Sequence, residues 1–186
     1  MTKKDARSYI KELKKAMSEQ EIKSRSQKVM DNLLGLEAWH NADRILTYVS
    51  YNQEVDTLGL IDEALKLGKE VYVPKVYGKN MKFHRIDNLG LLKSGKYGIL
   101  EPDNEFRSEW DNLSGLMIMP GLAFGRDFSR VGYGGGFYDR YLSDNHELTT
   151  IAVCFDFQLL DSIEVEEFDY RPDMIVCESE IISRLV

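Results

Sequence analysis

Three short runs in this chain are apolar at every position: Leu116-Met-Ile-Met119, Ile151-Ala-Val-Cys-Phe155 and Met174-Ile-Val-Cys177. A strand with one wet face alternates apolar and polar residues, so a strand without alternation must be covered on both faces. That requirement points to a mostly parallel sheet between helical layers. Segments of helical period supply the cover. Residues 3–17 set Ala6, Ile10, Leu13 and Met17 on one face. Ser18-Glu-Gln-Glu21 is a capping box opening a second helix, with Ile22, Val29, Leu33 and Leu36 as its apolar stripe. Arg44–Ser50 is β-rich, Thr57–Leu67 reads as a helix closed by Gly68, and Val71–Pro74 and Met81–Ile86 read as short strands. The expected fold is α/β: a single three-layer α/β/α domain over residues 1–186 with a mostly parallel central sheet. Ligands of such sheets gather at the carboxyl ends of the strands.

Composition removes several functions. The net charge of −7 argues against nonspecific nucleic-acid binding, which needs a basic footprint. No run of about 18 apolar residues exists, so no membrane span is expected. The N-terminus lacks the apolar stretch of a signal peptide. Cys154 and Cys177 sit inside apolar runs and read as buried free thiols, which fits a reducing cytoplasm. His40, His84 and His146 form no ligand motif, and no nucleophilic triad is evident.

The segment with the strongest chemical signal is Arg130-Val-Gly-Tyr-Gly-Gly-Gly-Phe-Tyr-Asp139. Its glycines precede Phe137-Tyr-Asp-Arg-Tyr-Leu142, which reads as helix. Glycine is costly to order, so the cluster marks either a tight turn or a backbone that must approach a phosphate. It is neither a Walker A sequence nor a clean G-x-G-x-x-G, because Phe137 stands at the last position. Lys3, Lys4, Arg7, Lys11, Lys14 and Lys15 make the first helix locally basic, either as a solvated face or as cations for phosphate. Glu54-Val-Asp-Thr57 follows a strand and precedes a helix. Asp56 or Thr57 suits the helix cap, while Glu54 is either an exposed loop residue or an acceptor for an amino-pyrimidine ring. Phe137 and Tyr141 are spaced i, i+4 and read as core, whereas Tyr133, between glycines, is the better stacking candidate.

Together and in this order, Lys3-x-x-x-Arg7, Glu54-Val-Asp-Thr57, Met119-Pro-Gly-Leu-Ala-Phe124 and Arg130–Leu142 resemble the 5-formyltetrahydrofolate cyclo-ligase (methenyltetrahydrofolate synthetase) family. The resemblance runs from end to end. It departs at Gly125, where the family has Asp, and at Phe128, where it has Gly. The resemblance implies one three-layer α/β domain. It implies an ATP- and Mg²⁺-dependent conversion of 5-formyltetrahydrofolate to 5,10-methenyltetrahydrofolate, ADP and phosphate. It implies ATP contacts from Lys3, Lys4, Asp5, Ala6 and Arg7 and from Arg130, Val131, Gly132, Tyr133, Gly134, Gly135, Gly136, Phe137 and Tyr138. The folate would meet Val49, Glu54, Tyr133, Gly134, Gly135, Gly136 and Phe137, with Asp139 and Asp169 on Mg²⁺ and Arg130 and Tyr133 nearest the chemistry. The expected partner is thus a small molecule, with no nucleic acid and no membrane, and a monomer is favoured. The alternative is a nucleotide- or folate-binding protein of the same fold without turnover.

Overall fold

A computed structural model describes residues 1–95, 98–103, 114–145 and 147–184. The three apolar runs become adjacent strands in the parallel centre of a seven-stranded sheet. That centre runs β2 (Glu70–Tyr77), β1 (Arg44–Thr47), β6 (Gly115–Met119), β9 (Leu148–Val153), β11 (Met174–Val176). Antiparallel strands close both edges: β3 (Asn80–Ile86) beside β2, and β12 (Ile181–Ser183) beside β11. The register pairs Ile45 with Val71 and Leu116, and Leu46 with Tyr72 and Met117. Successive residues therefore feed opposite faces. Ile45, Val71, Leu116, Ile118, Ile151 and Val153 enter one core, and Leu46, Tyr72, Met117, Met119, Ala152 and Ile175 enter the other. Both faces are dry, as the lack of alternation requires.

The two covers differ. The first face is roofed by α2 (Glu19–Leu34), α3 (Glu37–Asn41) and α4 (Leu58–Lys66) through Val29, Leu33, Trp39, Leu60 and Ile61. The second is roofed by the short α5 (Phe137–Ser143), with Tyr138, Tyr141 and Leu142, and by Phe124. Phe124 belongs to a small sheet of β10 (Leu159–Leu160), β7 (Ala123–Gly125) and β8 (Arg130–Val131). Helix α1 (Lys3–Lys15) lies on that small sheet, and Ala6 and Ile10 pack with Leu122, Ala123, Val131 and Ile163. Strands of two or three residues carry too few positions to show a period, so sequence patterning did not predict this sheet. It matters because it sets α1 against the chain entering the glycine segment.

Local signals mostly hold. Ser18 and Glu21 form the capping box. Gly35 ends α2, so Leu36, expected in its stripe, instead precedes α3. Gly68 has φ +75°, the left-handed conformation that closes a helix. The short strands expected at 71–74 and 81–86 are parts of one longer hairpin, β2–β3. Strands β4 (Leu92–Ser94) and β5 (Leu100–Pro102) add a two-stranded ribbon. Cys154 and Cys177 are buried free thiols whose sulfurs lie 3.3 Å apart. His146 and much of the loop before β6 fall outside the described residues.

Candidate active site

The site is entered through the β7–β8 hairpin. Gly125 N–H donates to Ser129 O at 2.8 Å, and Phe128 N–H donates to Gly125 O at 2.9 Å. Phe128 occupies the left-handed position of this tight turn, with φ +66°. A bulky residue there carries strain on the order of 1–3 kcal/mol. The ring is held in return: it packs on the second core, with the Arg184 guanidinium 5.8 Å from its centroid. At Gly125, a Cβ would meet Ser129 Oγ at 2.2 Å and Asp127 Oδ1 at 2.3 Å. The Asp127–Ser129 pair thus takes the space beside Gly125. The two departures from the family pattern leave the hairpin regular.

The hairpin delivers Arg130, which is 5% exposed. Its Nε donates to Pro120 O at 3.1 Å, just past the carboxyl end of β6, and its Nη1 donates to Asp139 Oδ1 at 3.3 Å. Its guanidinium stands 5.2 Å from the Tyr138 ring centroid. Burial lowers its pKa and Asp139 opposes that shift. A guanidinium nevertheless stays charged in a protein. The result is a fixed, largely desolvated cation at the sheet's carboxyl edge.

Beyond it the glycine segment turns toward α5. Gly134 has φ +105° and Gly136 φ +62°, which side chains other than glycine adopt only under strain. The backbone N–H groups of Tyr133, Gly134, Gly135 and Gly136 have no hydrogen-bond partner among the described residues. The carbonyls are treated differently. Gly132 O accepts from Arg7 Nε at 3.0 Å, and Gly135 O accepts from Arg140 Nη2 at 2.8 Å. Two acceptors are capped by cations while consecutive donors stay open, which is the arrangement of an anion-binding nest.

On the other side of Tyr133 lies the chain leaving β1. Tyr48 and Val49 are buried there, and Tyr48 Oη donates to Val55 O at 2.7 Å. Glu54 accepts from Tyr51 N–H at 2.9 Å, and the Tyr133 hydroxyl lies near enough to help lower its pKa. Burial raises its pKa, against the lowering pull of those hydrogen bonds and of Lys14. Glu54 therefore does have local partners. The α4 start is served by Asp56, whose Oδ1 accepts from Leu58 N–H at 2.9 Å, while Thr57 Oγ1 donates to Tyr48 O. Tyr133 is 54% exposed, with its hydroxyl on the Glu54 side. Tyr138 Oη is sealed from solvent and has no hydrogen-bond partner among the described residues.

The expected N-terminal contacts divide. Arg7 reaches the glycine segment. Lys3 binds Glu166 Oε2 at 2.8 Å and also Asp169. Burial lowers its pKa, and those two carboxylates outweigh that and raise it overall. Lys4 and Asp5 are exposed, Asp5 N–H donates to the capping Thr2 Oγ1 at 3.2 Å, and Ala6 is fully buried. Val131 is buried, and Phe137 packs on the second core under Arg140. Asp139 Oδ1 accepts from Arg130 and from Tyr170 N–H at 3.2 Å. Asp169 Oδ2 accepts from Glu166 N–H at 2.6 Å and from Lys3. In each carboxylate the second oxygen has no hydrogen bond among the described residues, and both charges act on Arg130. No group of three or more His, Cys, Asp or Glu suited to a metal occurs among the described residues. The sequence groups Lys14 with the solvated or phosphate-facing cations of α1, and its burial was missed. The available signal was its i, i+4 spacing from Ile10 on the Ala6–Ile10 stripe.

The model of the 5-formyltetrahydrofolate cyclo-ligase family matches residues 1–178. The mouse 5-formyltetrahydrofolate cyclo-ligase is 28% identical, over 95% of this chain and 93% of its own. The Escherichia coli protein of the same name is 27% identical, over 92% of this chain and 98% of its own. The solved structure of Aquifex aeolicus 5,10-methenyltetrahydrofolate synthetase superposes with a TM-score of 0.87 at 28% identity, covering 100% of this chain and 94% of that one.

Proposed function

The chain belongs to the 5-formyltetrahydrofolate cyclo-ligase family, and from that premise we propose that its glycine segment and the Glu54 pocket form one two-substrate cleft. The enzyme converts 5-formyltetrahydrofolate to 5,10-methenyltetrahydrofolate. The chemical difficulty is the N5 formyl group. As an amide its carbon is a poor electrophile and its oxygen a poor leaving group. Phosphorylation of that oxygen by ATP addresses both: N10 of the same molecule then attacks the carbon, the ring closes and phosphate departs with the oxygen. No protein nucleophile is needed.

Phosphoryl transfer asks mainly for positioning and positive field. We assign those tasks to the open N–H groups of Tyr133–Gly136 and to Arg130, with Arg7 bracing the loop through Gly132 O. Glu54 orients the pterin ring, and Tyr133, with its hydroxyl near Glu54 and its own N–H in the nest, sits between the two substrates. Asp139 and Asp169 would hold Mg²⁺ through their unbonded oxygens, and the ion would supply charge neutralisation for the phosphates. We further place the reaction in the cytoplasm, where two touching thiols stay unlinked, in a monomeric protein. The observation supporting this reading is the run of N–H groups, without partners among the described residues, that follows buried Arg130 and includes Tyr133. The test is to mix protein, 5-formyltetrahydrofolate, ATP and Mg²⁺ and follow methenyl absorbance with ADP and phosphate. All three should rise in equal amounts. Nucleotide binding without methenyl product would instead identify a non-catalytic member of the fold.

A further inference from the structure

Among the described residues the most exposed large apolar side chain is Phe168, at 73%. A lone surface phenylalanine needs no explanation in general. This one differs because the backbone on both sides of it is tied down while the ring stays in water. On the N-terminal side, Glu164 N–H donates to Met1 O at 2.9 Å, and Lys3 Nζ donates to Glu166 Oε2 at 2.8 Å. Within the turn, Asp169 N–H donates to Glu166 O at 3.0 Å, and Glu166 N–H donates to Asp169 Oδ2 at 2.6 Å. On the C-terminal side, Tyr170 N–H donates to Asp139 Oδ1 at 3.2 Å, the same oxygen that accepts from Arg130. Two residues span at most about 7 Å, so the Phe168 backbone lies close to the Arg130–Asp139 pair and to the start of α5. The Lys3 ammonium stands 5.7 Å from the ring centroid. An aromatic ring is thus held out at the rim of the cleft, with a cation against it and the glycine segment one side chain away.

We propose that Phe168 is the platform on which the base of ATP stacks. The inference rests on the nucleotide reading of the glycine segment and adds how the base is held. A nucleotide with its phosphates on the Tyr133–Gly136 donors and beside Asp139 and Asp169 carries its base beyond those carboxylates. Phe168 is the next residue after Asp169 in that direction along the chain, and at its exposure it has surface to give to a flat ligand. Stacking needs only a flat ring opposite a flat ring, with no hydrogen-bond code. The base would cover the apolar ring that the fold leaves in water, while the donors of the glycine segment take the phosphates. Phosphate and base are then recognised by separate parts of the chain.

That separation gives the test. Binding of ATP and of inorganic tripolyphosphate, which keeps the phosphates and lacks the base, is measured by calorimetry in the presence of Mg²⁺. Phe168→Ala should weaken ATP about 5- to 100-fold, the range of an aromatic–base stack, and leave tripolyphosphate within about twofold. Equal losses for both ligands, or no loss for ATP, would overturn the proposal. In a second arm, Phe168→Trp should keep ATP affinity within about threefold. Its added fluorescence, relative to the native protein, should be quenched by ATP and not by tripolyphosphate. Quenching by both or by neither would overturn the proposal even if Phe168→Ala failed to fold. If the native protein binds ATP but forms no methenyl product, the cyclo-ligase reading falls, and the ATP-to-tripolyphosphate comparison still decides the role of Phe168.

Discussion

Two adjacent turns flank β8, and both contain residues with positive φ. In the first, residues 125–129, most of the backbone donors are taken up by the protein. Gly125 and Phe128 N–H bond inside the turn, Ser129 N–H and Oγ both donate to Asp127 Oδ1, and Arg171 donates to Asp127 O. Its left-handed residue is a phenylalanine, tolerated because packing holds it. In the second, residues 132–136, glycines supply the left-handed positions and the donors are left open. The first turn uses its hydrogen bonds to fix a shape, and the second keeps them for something else. Backbone donors withheld from the protein are costly unless water or a ligand takes them. The contrast locates function more sharply than glycine content does.

The largest effect should come from the residue both turns aim. Arg130→Met removes the fixed cation while keeping bulk, and kcat/KM should fall about 10³-fold or more. The folate Kd should stay within severalfold. Equal losses in ATP and folate binding would show that the hairpin itself had shifted. Gly134→Ala probes the second turn. Its Cβ would meet nothing within 4 Å, so only φ +105° opposes it. We expect a stability loss of about 1–2 kcal/mol and an ATP KM raised about tenfold, read by urea denaturation and initial rates. A silent substitution would mean the loop does not hold its nest conformation.

Glu54→Gln comes next. The KM for folate should rise about tenfold with kcat less affected. The pH dependence carries a sign. Burial raises the Glu54 pKa, so its proton returns at a pH above the ordinary glutamate value of about 4.3. Folate KM should therefore climb on the acid side at a higher pH than an exposed carboxylate would produce. In Glu54→Gln that limb should vanish. If it persists, another group titrates it.

What the sequence disclosed follows the same division. The sheet was readable because unbroken apolar runs such as Leu116–Met119 admit few environments, and the Ser18–Glu21 cap was readable because it is local chemistry. The Arg130–Asp139 segment was readable as a phosphate or turn candidate, but not its state, since open donors are a property of three-dimensional neighbours. The small sheet is built from strands too short to show a period, and the pairing of Lys3 with Glu166 and Asp169 spans over 160 residues of sequence, which no window detects. Lys14 was hidden by its type: a lysine at a core position reads as a surface residue until burial is seen.

The smallest expected effect is the most exacting test of the comparison. Phe128→Gly relieves the strain of φ +66° but loses a half-buried ring and adds unfolded-state entropy. These terms oppose, so net stability should change by about 1 kcal/mol or less, and turnover should not change, because the first turn presents no consecutive run of open donors. Phe128→Ala loses the same ring without relieving the strain. The two variants should therefore differ by about 1 kcal/mol in favour of glycine, the reverse of their order in a helix or strand. Urea midpoints of the pair isolate that difference with ring packing cancelled. If alanine proves equal or better, the turn adopts another conformation and the first member of the comparison falls. If glycine is better and kcat/KM is constant, then left-handed backbone on one side of Arg130 is structural, and only the glycines on the other side serve the ligand.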